Sequence, residues 1–120
     1  MGSILVVQTD PEDPLAGAIE AGGYTVLSVD NPRDALPIVR DGGIDLVVID
    51  SYDPRVRIPE LAKQIDLLPD APPILLVSSS PHAPEISARI GATAFLTKPC
   101  DAPDLLAVVD RVVSRLRPGG

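Results

Sequence analysis

The sequence predicts an α/β fold in which a five-stranded parallel sheet is covered by helices on both faces. Four short runs are continuously apolar, which is typical of strands buried on both faces of a parallel sheet. A fifth run alternates between apolar and polar residues, which places its strand nearer an edge. Helix signals separate the runs, and strands that alternate with helices along a chain form parallel sheets. The runs are 4–7, 24–29 (the alternating one), 45–50, 73–78 and 93–97.

Capping residues, prolines and glycines mark the ends of the predicted helices. Asp, Asn or Ser followed by Pro is a common helix start, because the side chain caps the first turn and Pro fits there. Glycine is common just after a helix because it adopts the left-handed backbone that ends the last turn. The start signals are 10–13, 31–34, 80–81 and 101–104, the stop signals are 22–23, 42–43 and 91, and the third and fifth helices are predicted over 59–68 and 103–116.

The second helix carries a proline where a helix interior is expected. Pro37 lies five residues after Pro32, and a proline inside a helix removes one backbone hydrogen bond. Either this helix begins later, with Asp34 as its N-cap and Pro37 in its first turn, or it is kinked at Pro37. We expect the later start.

Length, composition and charge limit the classes of function. The 120 residues fit a single domain over 1–120, and 45% hydrophobic residues are enough for a core. The net charge of −7 and the aromatic content of 2% disfavour direct nucleic-acid binding, which needs clustered Lys and Arg or stacking platforms. No apolar run approaches the ~20 residues of a membrane span, and the first residues lack the pattern of a signal peptide. We expect a cytoplasmic domain without a disulfide.

Polar residues at the carboxyl ends of the predicted strands form the candidate site, since ligands of open parallel sheets bind beyond these ends. Asp50 ends the third strand, Ser78 ends the fourth and Lys98 directly follows the fifth. These groups suit phosphoryl transfer, in which a carboxylate attacks phosphorus, an ammonium offsets the added charge and a hydroxyl bonds a phosphoryl oxygen. Asp50 is alternatively a structural carboxylate that pairs with Lys98.

Three segments resemble the receiver domain of bacterial response regulators, the CheY-like family, and the resemblance covers essentially the whole chain. The segment DLVVIDSYDP carries Asp50 at the family's phosphoacceptor position. PILLVSSS carries Ser78 at the switch hydroxyl position, and GATAFLTKPCDAPDLL carries Lys98 and, at the switch aromatic position, Phe95. The resemblance implies a (βα)5 flavodoxin-like fold with the strand order 2-1-3-4-5. Phe95 is alternatively a plain core residue.

In function, the resemblance implies a phosphoprotein of two-component phosphorelay signalling that is not itself an enzyme. A histidine kinase or phosphotransfer protein would phosphorylate Asp50, with Lys98 and Ser78 assisting. Ser78 and Phe95 would then move and change the face formed by the fourth helix, the fifth strand and the fifth helix. A downstream effector protein or domain would bind that face, without direct contact to nucleic acid or membrane.

The end of the first strand departs from the family's pattern. Receivers usually carry two adjacent acids there, which hold Mg²⁺ beside the phosphoacceptor, and the matching positions are Gln8 and Thr9. Neutral oxygens bring no charge to a hard cation that prefers carboxylates. We expect weak Mg²⁺ binding by Asp50, assisted by Asp10 and the backbone oxygen of Tyr52, and slower phosphorylation as a result. Asp10 is alternatively the N-cap of the first helix.

Two other functions compete with the receiver. A phosphorylation-independent pseudo-receiver would keep the fold and act as a protein-docking module, and Gln8 and Thr9 favour it. A flavodoxin-like FMN protein would need a phosphate-binding loop after the first strand. The segment QTDPED at 8–13 has no glycine and three acids, which repel phosphate, so the sequence disfavours this function.

Overall fold

The structure is a computed structural model that describes residues 3–8, 15–51, 57–98 and 100–115. Five parallel strands form one sheet in the order β2-β1-β3-β4-β5. Both the predicted fold class and the strand order are confirmed. The strands are β1 Ser3–Gln8, β2 Thr25–Val29, β3 Leu46–Asp50, β4 Ile74–Ser78 and β5 Ala94–Thr97.

Four of the helices connect consecutive strands and the fifth follows the last strand, and together they cover the sheet in two layers. One layer packs three helices on one face, and the other packs two helices on the opposite face. The first layer consists of α2 Pro32–Arg40, α3 Ile58–Asp66 and α4 Ala83–Ile90, and the second consists of α1 Leu15–Ala21 and α5 Ala102–Arg115. Within the described part of the chain, no helix is long and apolar enough to cross a bilayer.

The two central strands β3 and β4 are buried along their whole length, which explains their continuous apolar sequence. Successive residues alternate between the two faces, so Val47 packs with the α2, α3 and α4 layer while Val48 packs with the α1 and α5 layer. Strand β2 lies at an edge, and three of its five residues are exposed, as its alternating sequence predicts. The buried centre therefore holds the carboxyl ends of β3 and β4 on stiff elements.

The predicted start of α2 is wrong. The helix begins at Pro32 with Asn31 as its N-cap, whose side-chain oxygen accepts a hydrogen bond from the Arg33 N–H at 2.9 Å. Asp34 lies in the first turn and Pro37 lies inside the helix. Both Pro37 and Arg33 are exposed, so water can solvate the Arg33 carbonyl that residue 37 would otherwise bond.

The predicted start of α4 is early by about two residues. The sequence signal is Ser80–Pro81, whereas the helix begins at Ala83 with His82 at the N-cap position. Ser80 instead forms a turn, in which its carbonyl accepts a hydrogen bond from the Ala83 N–H at 3.1 Å. The predicted end at Gly91 is confirmed, because Gly91 is the C-cap with a left-handed φ of 70°.

Candidate functional site

The strand register brings the candidate residues to the same edge of the sheet. Asp50, the last residue of β3, pairs with Gln8 on β1 and with Val77 on β4. Ser78, the last residue of β4, pairs with Thr97, which ends β5. These four strands therefore end within one residue of each other, which brings Gln8 and Ser78 to the edge of the sheet that holds Asp50.

Asp50 and Lys98 form an ion pair at the centre of this edge. The Lys98 Nζ lies 2.5 Å from the Asp50 Oδ1, and the two side chains are 10% and 0% exposed. Both charged groups are buried away from water, so their attraction offsets the cost of burial only when the geometry is close. Removing either partner leaves an unpaired buried charge, which strongly lowers the stability of the fold. The structure thus brings together two residues that are 48 positions apart in the sequence, as the strand-end argument predicts.

A backbone hydrogen bond fixes the point from which Lys98 extends. The Lys98 N–H donates to the Ser78 carbonyl at 3.0 Å, which continues the pairing of β4 and β5 by one residue. On the other side of β4, the Ser51 N–H donates to the Val77 carbonyl at 3.2 Å and extends the pairing with β3. Asp50 and Lys98 are therefore held by regular sheet backbone rather than by loops, which keeps their separation short.

Ser78 is fully buried at the end of β4. Its hydroxyl oxygen accepts a hydrogen bond from the Ser80 N–H at 3.0 Å. The burial of Ser78 agrees with its predicted place as the last residue of the fourth strand. The sequence does not indicate the hydrogen bond to Ser80, because that contact depends on the path of the turn that follows the strand.

Phe95 lies on β5, the edge strand opposite β2, where it pairs with Leu76. Its side chain is 42% exposed, whereas Leu76 is fully buried. The interpretation of Phe95 as a plain core residue is therefore wrong, because β5 is covered less completely than the central strands. Phe95 presents aromatic surface to solvent on the side of the sheet edge that α4 and α5 flank.

The end of β1 is less charged than the ends of β3 and β5. Gln8 is partly buried and lines a cleft of about 720 Å³ between α1, β2 and α2, together with Ser28 and Asp30. Thr9, Asp10 and Tyr52 lie outside the described residues. Among the residues that the structure describes, no group of three or more His, Cys, Asp or Glu side chains is placed to hold a metal ion.

Comparison with known families identifies the domain. The family model for the response regulator receiver domain matches residues 4–110. The chain belongs to this family. It is therefore a receiver domain of the two-component type, as the three sequence segments around Asp50, Ser78 and Lys98 indicate.

Relatives with curated descriptions agree with this assignment. The chain is 33% identical over 122 residues to the putative two-component response regulator ARR21 of Arabidopsis thaliana, covering 98% of this chain and 20% of that protein. It is 31% identical over 125 residues to the phosphate regulon transcriptional regulatory protein PhoB of Pseudomonas aeruginosa, covering 98% and 54%. The chain thus spans a fifth to about half the length of these relatives.

Solved structures share the fold over nearly the whole receiver domain. The signal receiver domain of a histidine kinase from Syntrophus aciditrophicus has a TM-score of 0.83 at 28% identity, covering 100% of this chain and 96% of that one. The receiver domain of sensor histidine kinase PA1611 from Pseudomonas aeruginosa has a TM-score of 0.84 at 19% identity, with 95% and 99% covered. That protein carries a magnesium ion in its active-site cleft, and at this identity the likeness concerns the fold alone.

Proposed function

We propose that this receiver accepts a phosphoryl group on Asp50 from a histidine kinase or a phosphotransfer protein. The observation that carries the proposal is the buried Asp50 carboxylate at the end of β3, in contact with the Lys98 ammonium. In the transfer, a carboxylate oxygen of Asp50 bonds to phosphorus while the bond from phosphorus to the donor's imidazole nitrogen breaks. The imidazole keeps that electron pair and takes up a proton.

Lys98 and Ser78 assist by stabilising charge. Transfer replaces one carboxylate charge by a phosphoryl group of higher charge, and the Lys98 ammonium is already close enough to offset part of it. Ser78 ends the neighbouring strand, and its hydroxyl can donate a hydrogen bond to a phosphoryl oxygen. Because the sheet already holds Asp50 and Lys98 in contact, little reorganisation of these two groups is needed when the charge develops.

The residues at this edge fit a weakly held Mg²⁺. Asp50 supplies a carboxylate oxygen, and Gln8 beside it supplies at most a neutral amide oxygen. Asp10 and the backbone oxygen of Tyr52 are the further donors that the sequence offers. The Lys98 ammonium already neutralises the Asp50 carboxylate, so a divalent cation meets less negative charge than an acidic pair would present. Bound Mg²⁺ supplies charge neutralisation to the phosphoryl oxygens.

The output surface in this proposal is the face formed by α4, β5 and α5. Phe95 on β5 is 42% exposed there, and exposed aromatic side chains are typical of protein contact surfaces. Movement of Ser78 and Phe95 after phosphorylation would change this face, and an effector protein or domain would bind one state better than the other.

Incubation with a small phosphodonor such as acetyl phosphate and Mg²⁺ tests the proposal. Intact-mass spectrometry is expected to show slow gain of one phosphoryl group by the native chain and none by Asp50→Asn. An ordinary receiver with an acidic pair serves as the positive control. If the native chain gains no mass over hours while the control is labelled, Asp50 is not a phosphoacceptor.

A second function is supported by the burial of Asp50 and its pairing with Lys98. Asp50 is completely buried and paired with Lys98, and Gln8 stands where the acidic pair begins. A receiver that keeps Asp50 buried and paired with Lys98 would act as a protein-docking module that needs no phosphorylation. A Mg²⁺ titration followed by NMR distinguishes the two functions. Localised shifts at the Asp50 and Gln8 amides at low millimolar Mg²⁺ contradict the docking-only function, whereas unchanged spectra together with no mass gain from acetyl phosphate support it.

A further inference from the structure

The three consecutive serines after β4 have different environments. Ser78 is buried, Ser79 is exposed and Ser80 is partly buried. Two of them, Ser78 and Ser80, take part in two consecutive hydrogen bonds, which we call the serine chain. The Ser80 N–H donates to the Ser78 hydroxyl oxygen at 3.0 Å, and the His82 N–H donates to the Ser80 hydroxyl oxygen at 3.1 Å.

The serine chain ends at His82, where α4 begins. His82 occupies the N-cap position, and its side chain makes no capping hydrogen bond. Its carbonyl accepts from the Ile86 N–H at 3.0 Å, and the Ser80 carbonyl accepts from the Ala83 N–H at 3.1 Å. Ser80 therefore satisfies two of the backbone N–H groups at the helix start that have no partner within the helix.

The serine chain begins at the Ser78 hydroxyl, in the candidate site. The Ser78 backbone is held on the β5 side, because it pairs with Thr97 and its carbonyl accepts from the Lys98 N–H. Rotation about the Cα–Cβ bond is the motion that remains to the hydroxyl. A rotated hydroxyl no longer accepts from the Ser80 N–H, so its position and the turn at Ser80 depend on each other.

We infer that Ser80 is a positioning residue that couples the Ser78 hydroxyl to the first turn of α4. It holds the hydroxyl through its backbone N–H and holds His82 through its own hydroxyl. The coupling is mechanical, and it exists in the unphosphorylated domain whether or not Asp50 accepts a phosphoryl group. A displacement of the Ser78 hydroxyl thus reaches α4 through two hydrogen bonds.

A double-mutant cycle read by amide hydrogen exchange tests the coupling. Ser78→Ala removes the acceptor of the Ser80 N–H, and we expect exchange at both the Ser80 and His82 amides to rise about threefold to tenfold, the range that one net hydrogen bond allows. In the Ser80→Ala background the His82 amide has already lost its acceptor. There, Ser78→Ala is expected to change its exchange by less than about 1.5-fold, the signature of coupling through Ser80.

Matched variants exclude a general loosening of the segment. Ser79→Ala alters the exposed neighbour and is expected to leave both amides unchanged, whereas Ser80→Thr keeps the hydroxyl and restores His82 protection. The inference is overturned if Ser78→Ala affects His82 equally in both backgrounds, if it does not affect His82 at all, or if Ser79→Ala has the same effect.

The cycle has a second readout in case Ser78→Ala destabilises the whole domain, which faster exchange in β3 would reveal. The Ser78 Cβ resonance is then followed in variants of the partly buried Ser80. Ser80→Ala is expected to shift it and Ser80→Thr to leave it in place. A Ser78 resonance that does not respond to Ser80→Ala contradicts the coupling.

Discussion

The ends of β3, β4 and β5 differ from the end of β1 in the charge that they bring to the site. We call Asp50, Ser78 and Lys98 the acceptor side, and Gln8 with the following Thr9 the β1 side. The acceptor side holds one negative and one positive group in contact, so its net charge is close to zero. With acids at both positions of the β1 side, the site would carry a net charge of about −2. The actual β1 side is neutral, so under the proposed function we expect the acceptor side to handle a phosphoryl group while the site attracts a divalent cation only weakly.

The largest effect is expected from removing the cation of the acceptor side. Lys98→Met leaves the buried Asp50 carboxylate without its ammonium, and breaking such a pair costs about 3–5 kcal/mol of the free energy of unfolding. Urea unfolding at neutral pH measures the loss. Lys63→Met is the matched control, since Lys63 is the other lysine and is exposed, and it is expected to change stability by less than about 0.5 kcal/mol.

A companion variant separates the ion pair from simple packing. Asp50→Asn combined with Lys98→Met removes both charges, and we expect it to be more stable than Lys98→Met alone. Equal losses in the single and double variants would contradict a stabilising charge pair at this edge.

The next effect concerns the β1 side. Gln8→Asp with Thr9→Asp adds two carboxylates to the β1 side, and Mg²⁺ affinity is expected to rise about tenfold or more, equivalent to about 1.4 kcal/mol. An NMR titration measures the affinity. Ala107→Asp with Ser114→Asp adds the same charges to exposed positions of α5 and is expected to leave the Mg²⁺ affinity unchanged. A similar gain in both variants would mean that net charge, rather than the β1 side, limits the metal.

A smaller effect is expected at Ser78. Ser78→Ala removes one hydrogen-bond donor to the phosphoryl group, and we expect labelling of Asp50 to slow about fivefold, the worth of one net hydrogen bond of about 1 kcal/mol. Ser78→Thr keeps the hydroxyl and should keep most of the rate. The exposed Ser79→Ala is the control, and if it slows labelling as much as Ser78→Ala, the hydroxyl of Ser78 has no specific role.

The smallest effect is expected at the surface of β5. Phe95→Ala removes a side chain that is 42% exposed, so it should cost less than about 1 kcal/mol of unfolding free energy. Its partner across the strands, Leu76, is fully buried, and Leu76→Ala should cost about 2–5 kcal/mol. Thermal or urea unfolding of the two variants compares them directly. Comparable losses would show that Phe95 packs as a core residue after all.

The sequence predicts the sheet well because burial on both faces demands continuous apolar runs. Each observed strand begins and ends within one residue of its predicted run, and the alternating run is the edge strand β2. Helix starts are predicted less well, because several residues near each start are able to cap. At α2 the cap is Asn31 rather than Asp34, and at α4 Ser80 forms a turn before the helix.

The candidate site is predictable to the extent that strand ends determine it. Asp50 and Lys98 meet across β4 because the parallel strands β3, β4 and β5 end together, and that follows from the fold alone. The exposure of Phe95 depends on how far α4 and α5 cover the edge strand, which local sequence does not encode. The contacts of Ser78 and Ser80 depend on the path of a short turn, and three identical residues give no local signal for it.

The Mg²⁺ dependence of Asp50 labelling tests the contrast between the two sides most directly. The native chain and the Gln8→Asp/Thr9→Asp variant are each incubated with acetyl phosphate, with Mg²⁺ or with a chelator, and phosphoryl incorporation is followed by mass. We expect slow labelling of the native chain with little dependence on Mg²⁺, and labelling of the variant that is about tenfold faster with Mg²⁺ and slow with the chelator. Rapid, strongly Mg²⁺-dependent labelling of the native chain would contradict this contrast between the two sides. A variant whose labelling rate does not rise with Mg²⁺ would contradict it as well.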